Sequence, residues 1–593
     1  MTSYDKMTKG FSSSFIVTKV RDFSKTRGMG IFKNATRFIA KSYERSVFRS
    51  AIRGRSYGGL TSQSNTFGRF FFSYGFYAAL IYLLKNYTFS VESANPYSLF
   101  LGIIVMFLGL IMFFSKKNVA RALYESRAMR LILFDFLGLR ILTVAEAANN
   151  EVKKSFNVPF ILGMVFGVIS IFVEPIYVMA TLAVLVLAAI VLSSPEAGII
   201  LIFLALPFLE TMHLAAVLCL ILVSYVLKLI CGRRILRFHL VDFSVLAFLA
   251  FVFFGGVYTV DDSSFRKMLV FICFMLSYFV VRNLISSPPF VRRCLYALTI
   301  SATLVSIYGL YQNFFGSLST TWQDTAVFSE IKGRVVSTFA NPNVLGEYII
   351  LIFPIILALM ASAKRANERF ALLIAAALNC ACLVFTWSRG AWLGFAVSIV
   401  LFLCVSSKYF FTAGLLSIPV LGTAIYFGMD SSIIRRITSF GDSSTSYRLG
   451  IWEGVLRMLQ DVGVYGIGIG EGAFARIYPA YALSGIETAP HSHNLYLQIT
   501  VETGIFSLLA FLCFIFTFAQ CTFSFCKNAM NRTNKSICLG IFCGILAFLI
   551  QGMTDYVWYN YRIFLLFWML AGLGVAHVYA SKNTDEESEH FYF

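Results

Sequence analysis

His491 and His493, separated by Ser492 and followed by Asn494, stand just before an apolar run in a chain of 593 residues that has only six histidines. A neutral imidazole accepts a proton from a hydroxyl near neutral pH, so the pair is a candidate general base. The competing reading is a histidine that only hydrogen-bonds at a membrane interface. Arg334, Arg389, Arg435, Arg436 and Arg448 fall on the same side of the apolar runs as these histidines, against the usual distribution of basic residues. Arg389 is the sharpest case, because "TWSRGAW" from Thr386 leaves almost no loop around it and a lone cation there is costly. Asp442, Glu453, Asp461 and Glu471 are available as ion-pair partners. An anionic ligand is the other solution, and planar guanidinium donors bind phosphate oxygens bidentately. The ligand reading is preferred for Arg389, whereas both readings stand for Arg435 and Arg436.

Other chemistries fit less well. "YGIGIGEGAF" from Tyr465 has the glycines of a nucleotide loop without the strand and helix that one needs, and reads as a flexible loop. His491, His493 and Glu487 lack the spacing of a metal motif, so no metal and no cofactor is expected. Twelve cysteines lie scattered, mostly inside apolar runs such as "LNCACLVF", and form neither a zinc pattern nor a disulfide framework.

The elements that must position these residues are membrane helices. A hydrophobic content of 58%, 13% charged residues and a mean hydropathy of +0.75 exclude a soluble globular protein. Apolar runs near spanning length recur from residue 70 to 580, and a helical backbone satisfies itself in lipid. The pattern predicts an all-α polytopic bundle of about 14–16 transmembrane helices. Spans are expected at 70–86, 98–114, 158–174, 176–193, 197–209, 213–230, 241–258, 267–286, 294–312, 344–362, 370–386, 391–406, 409–427, 505–523, 537–553 and 561–580. Basic loops such as "CGRRILR" from Cys231 and "AKRANER" from Ala363 mark the cytoplasmic side, placing both termini inside and the arginines and histidines outside. Residues 1–69 carry 14 Lys/Arg against 3 Asp/Glu. With no nucleic-acid motif beside a membrane domain, that segment reads as a cytoplasmic partner for anionic lipid. The expected organisation is a basic segment 1–69, an additional transmembrane region 70–195, a membrane core 196–427, an extracytoplasmic helical loop domain 428–504, C-terminal spans 505–580 and a cytoplasmic tail 581–593.

The C-terminal half resembles the O-antigen ligase and polymerase family of membrane proteins. "RVVSTFANPNVLGEY" from Arg334, with Asn341 and Asn343, is similar to that family's Asn-Pro-Asn stretch before a span. "TWSRGAWLGF" is similar to its Ser-Arg-Gly turn, and "SYRLGIWEG" through "GIGIGEGAF" to its Arg-x-x-x-Trp and glycine loop. The ligase pattern of His, then Asn, nine residues and Gly is met by His493, Asn494 and Gly504, while Ser507 departs from its last position. The resemblance covers about residues 300–580 and leaves residues 1–195 without an account.

The resemblance implies a helical fold related to lipid-sugar glycosyltransferases of the C type. It implies a metal-independent, inverting transfer of a glycan from undecaprenyl diphosphate to a hydroxyl of another glycan or lipid. His493 would be the catalytic base, and Arg334, Arg389 and Arg448 would bind the donor diphosphate. His491, Asn494, Arg435, Arg436, Asn341 and Asn343 would support them, with membrane lipids and polysaccharide assembly proteins as partners and no nucleic acid. Two other classes compete. A transporter would place its ionisable groups near the middle of the membrane, whereas these gather at one face. A non-catalytic scaffold in an envelope assembly complex would leave the arginines and His493 without a task.

Overall fold

The computed structural model describes residues 3–14, 58–87, 95–139, 141–149, 157–231, 234, 236–316, 333–406 and 443–590, with the single positions 38, 42 and 412. Arg435, Arg436, Asp442 and the span expected at 409–427 lie outside them. Among the described residues the chain is all-α without a β-strand, and 13 helices are long and apolar enough to cross a membrane. Two expected spans are shorter apolar helices, Val158–Ile171 and Pro195–Ala205. Neither supplies the roughly 20 residues that an untilted crossing needs. The protein is thus a multi-pass membrane protein with 13 candidate spans among the described residues.

The chain divides into two compact units, one formed by 30–198 with 226–234, the other by 1–29, 199–225 and 235–593. In the former, helices Ser64–Tyr87, Pro96–Phe113 and Val158–Val168 pack through small residues around buried Tyr74, whose hydroxyl donates to the Pro175 carbonyl at 2.9 Å.

The larger unit holds the candidate chemistry. It contains α1 (Ser3–Ser12), α2 (Leu240–Val257), α3 (Ser263–Leu284), α4 (Pro288–Phe315), α5 (Pro342–Ser362), α6 (Ala366–Phe385), α7 (Arg389–Ser406), α8 (Ser443–Val462), α9 (Glu471–Ile477), α10 (Leu495–Thr503), α11 (Ile505–Asn528), α12 (Arg532–Gln551) and α13 (Tyr561–His590). Its centre is α13 and α5, whose apolar windows are 94% and 83% buried, so protein rather than lipid surrounds both. Helix α12 packs along α5 with little between the backbones. A Cβ added at Gly544 would stand 2.2 Å from the Leu351 carbonyl oxygen. That approach fixes the register at which Gln551, closing α12, meets Asn343 and Glu347, opening α5.

Residues 443–503 form α8, α9 and α10 around an apolar cluster of their own that includes Ile451, Val455, Met458, Phe474 and Tyr478. The glycine stretch beneath them is a tight, bonded loop rather than a flexible one. Gly466, Gly468 and Gly470 take φ of +77°, +107° and +100°, a region that disfavours side chains. Backbone N–H groups of Ile467 and Gly468 donate to the Val501 and Glu502 carbonyls, and the Gly470 N–H donates to the Glu502 carboxylate at 3.0 Å. The loop therefore clamps the end of α10.

At the opposite ends of the spans, α1 lies against α11 and α13. The Tyr4 and Tyr579 hydroxyls are 3.1 Å apart, and Phe11 meets Phe243 at 4.7 Å between ring centres. Nearby, buried Asp242 accepts from the Tyr278 hydroxyl at 2.8 Å and lies 3.4 Å from the Arg282 guanidinium.

Candidate active site

Four interhelical connections converge at one end of the larger unit: residues 333–341 before α5, the turn between α6 and α7, the segment 490–494 before α10, and the turn 552–560 between α12 and α13. Helix caps hold them in place. Asn494 caps α10 by accepting from the Tyr496 and Leu497 N–H groups, and its amide donates to the Met553 carbonyl at 2.9 Å. The Leu495 N–H donates to the Gly552 carbonyl at 2.7 Å, so the histidine segment and the 552–560 turn form one ledge. Asn341 caps α5 through the Asn343 N–H at 2.8 Å. Asn341 and Asn494 thus serve the backbone. Arg562 steadies the segment before α5, donating to the Pro207 and Thr338 carbonyls and lying over the Phe339 ring at 4.6 Å.

Asp555 joins the pieces. His493 Nδ1 lies 3.1 Å from Asp555 Oδ1, and Asn343 Nδ2 donates to Oδ2 at 2.8 Å. Arg448 approaches the same Oδ2 at 3.9 Å. Asn343 Oδ1 in turn accepts from Arg334 Nη2 at 2.6 Å, while Nε of the same guanidinium donates to the Thr386 carbonyl at 2.7 Å. Arg389 opens α7 and reaches Thr445 of α8 at 3.2 Å. Arg334, Arg389 and Arg448 therefore line one cleft, with Asp555 its one carboxylate among the described lining residues. The cleft is small and polar, and the three guanidinium groups dominate its lining.

Of the four non-glycine residues with positive φ in these connections, Ser337 and Ala340 are small and two carry large side chains. Trp387 and His493 have φ of +52° and +50° without being glycine. Such conformations persist where the surroundings over-determine them, and each here directs a large side chain into the site.

Burial raises the Asp555 carboxyl, but the hydrogen bond with His493 and the charge of Arg448 outweigh it, holding the group below the usual carboxylate range. An ionised carboxylate only accepts, so the neutral His493 ring carries its proton on Nδ1 and offers Nε2 as an acceptor. The neighbouring His491 differs. Burial, reinforced by His493, pushes its imidazole well below the usual range despite Asp555, and its Nδ1 accepts the His493 N–H at 3.2 Å. His491 is a neutral prop for the His493 backbone, with its ring tilted against those of Tyr556 and Tyr559.

His491, His493 and Asp555 place their donor atoms within 4.8 Å of one another, so their reach would admit a metal. The chemistry fits poorly. The His491 Nδ1 lone pair is engaged, the atoms would have to close to about 3.3 Å around an ion with bonds near 2.0 Å, and Arg448 lies beside them. Glu487 is not among the three; it accepts the Gly485 N–H at 2.9 Å. Of the carboxylates offered by sequence as partners for the arginines, two are engaged elsewhere. Glu453 pairs with Arg457, and Asp461 accepts from the Tyr481 hydroxyl.

Fold and cleft together define an all-α, multi-pass membrane protein with a histidine–aspartate pair beside an arginine-lined cleft. Residues 370–512 match the family model described as O-antigen ligase, a stretch that contains Arg389, Arg448, the glycine loop, both histidines and Gly504. A Rickettsia conorii protein named as a polysaccharide ligase is 26% identical over 137 residues, 22% of this chain. The chain spans 30% of that relative's length. The resemblance to the O-antigen ligase family read from the motifs is borne out over this stretch.

Proposed function

We propose that this protein transfers a glycan from a lipid diphosphate, of the undecaprenyl kind, to a hydroxyl of a second glycan or lipid on the extracytoplasmic face. The observation that carries the reading is the His493–Asp555 pair at the edge of a cleft lined by three guanidinium groups. His493 Nε2 takes the proton of the acceptor hydroxyl as its oxygen attacks the anomeric carbon. The bond from that carbon to the phosphate oxygen breaks, and its electron pair leaves with the diphosphate. Arg334, Arg389 and Arg448 stabilise that charge as it develops. Attack from the face opposite the leaving group inverts the anomeric centre. Since the donor arrives activated, neither nucleotide nor metal is required.

Helix geometry supports an anion in the cleft. Arg389 stands at the first residue of the 18-residue helix α7, where the positive end of the helix dipole disfavours a cation and favours an anion. The basic loops at the opposite helix ends support the extracytoplasmic assignment. The name of the Rickettsia relative supports a polysaccharide as cargo.

The test is transfer in proteoliposomes from a synthetic glycan on undecaprenyl diphosphate to an oligosaccharide acceptor. Wild type forms the lengthened or ligated product, and His493→Ala binds donor without forming it. Equal turnover by both proteins would remove His493 from the chemistry, and no turnover of any lipid-diphosphate glycan would return transport to the front.

A further inference from the structure

Beneath the cleft lies a carboxyl group that the proposed transfer does not use. Glu347, on the first turns of α5, is 2% exposed and faces Gln551 at the end of α12, itself 1% exposed. Gln551 Nε2 donates to Glu347 Oε1 at 3.4 Å and lies 3.5 Å from the Asn343 carbonyl oxygen. The remaining two atoms of the facing groups, Glu347 Oε2 and Gln551 Oε1, are buried without a hydrogen-bond partner. Both are acceptors. Leaving two such atoms together out of water is costly, and native interiors avoid it.

A single proton resolves both. Placed on Glu347 Oε2, it is donated to Gln551 Oε1 while the Gln551 amide donates back to Oε1, closing an acid–amide ring. The charged groups around the pair agree with this. Asp555, which Asn343 joins to the same floor, acts on Glu347 with like charge. The guanidiniums are engaged above it: Arg334 with Asn343 and Thr386, Arg448 with Asp555, Arg389 with Thr445. Glu347 forms no ion pair among the described residues.

We propose that Glu347 works as a neutral carboxylic acid whose ring with Gln551 fixes the floor of the cleft, making it a positioning residue for Asn343 and, through Asn343, for Asp555. Its proton also keeps a second negative charge from the underside of the anion subsite. The kinetic half of this inference rests on the transfer reading; the protonation half does not.

The test uses the full chain in nanodiscs or proteoliposomes, as wild type, Glu347→Gln and Glu347→Ala. Infrared spectra at neutral pH report the carboxylic acid C=O band, expected in wild type and lost in Glu347→Gln. Gln reproduces the ring amide to amide, so transfer by Glu347→Gln stays within about twofold of wild type, whereas Glu347→Ala falls at least ~10-fold. Wild-type activity declines at alkaline pH as the ring opens, and that limb is absent in Glu347→Gln. An unchanged band, a Gln variant as impaired as Ala, or activity that requires sodium and is lost in Glu347→Gln overturns the proposal, the last by placing a cation between the two oxygens. Should Glu347→Ala fail to fold, wild type against Glu347→Gln decides. If wild type transfers no glycan, the functional reading fails while the infrared band still decides the protonation.

Discussion

His493 Nδ1 stands 3.1 Å from Asp555 Oδ1 across 62 positions of sequence, and this pairing selects which imidazole nitrogen is left to receive a proton. Asp555 also gathers Asn343 and Arg448, so one carboxylate sets the base, the floor and one wall of the cleft.

Asp555→Asn therefore acts on turnover. The asparagine amide can donate to Nδ1, which moves the imidazole proton to Nε2 and removes the acceptor. Initial rates in the proteoliposome assay should drop between about 10²- and 10⁴-fold with donor KM little changed. A loss confined to KM would make Asp555 a binding residue instead.

Lysine should not replace arginine in the cleft. Arg389→Lys and Arg448→Lys keep the charge but lose the two-pronged contact with phosphate oxygens. Each is expected to weaken binding of a non-transferable lipid diphosphate by roughly 10-fold or more. Titration by fluorescence or calorimetry measures it, and wild-type affinity in both would move the diphosphate elsewhere.

Much of the fold is legible because hydropathy and span length record lipid contact directly; thirteen of the expected spans reappear as candidate crossings. Val158–Ile171 and Pro195–Ala205 mislead, since their composition is that of a crossing while their length is not. Of the site, Arg334, Arg389, Arg448 and His493 were legible as charges or rare residues in costly places. Asp555 was missed, although the same reasoning reaches it: it is the one acidic residue in the short turn "GMTDYVWYN" between two apolar runs. What sequence could not supply was the partner, because pairing across helices depends on register, and register here comes from the Gly544 contact.

Glu502 gives the larger unit a pH dependence. Burial lifts its carboxyl to about 7 against an ordinary value of 4.5, even with hydrogen bonds from Gln498, Gly470 and Tyr556. The folded protein then holds a proton that the unfolded chain has released, so stability falls as pH rises through that window. Melting temperature followed from pH 4.5 to 7.5 should decline in wild type and flatten in Glu502→Gln. An equal slope in both would assign the dependence to other groups.

Gly504 joins α10 to α11 at φ +87°, and a Cβ there would meet the Val464 carbonyl oxygen at 2.2 Å. Gly485 has φ +86° with nothing within 4 Å. Gly504→Ala is expected to destabilise clearly more than Gly485→Ala, whose cost is the backbone strain alone, about 1 kcal/mol. Thermal melts of the two variants separate steric from conformational cost.

The contact between Tyr4 and Tyr579 orders events during synthesis. Their hydroxyls lie 575 positions apart, so α1 emerges from the ribosome long before the helix it docks on exists. It must wait, unburied, while every intervening span is inserted. Asp555, too, is translated after Arg448 and His493, the residues it draws together. Docking of α1 thus awaits α13, and assembly of the cleft at the other ends of the helices awaits Asp555, which the chain supplies just before that helix.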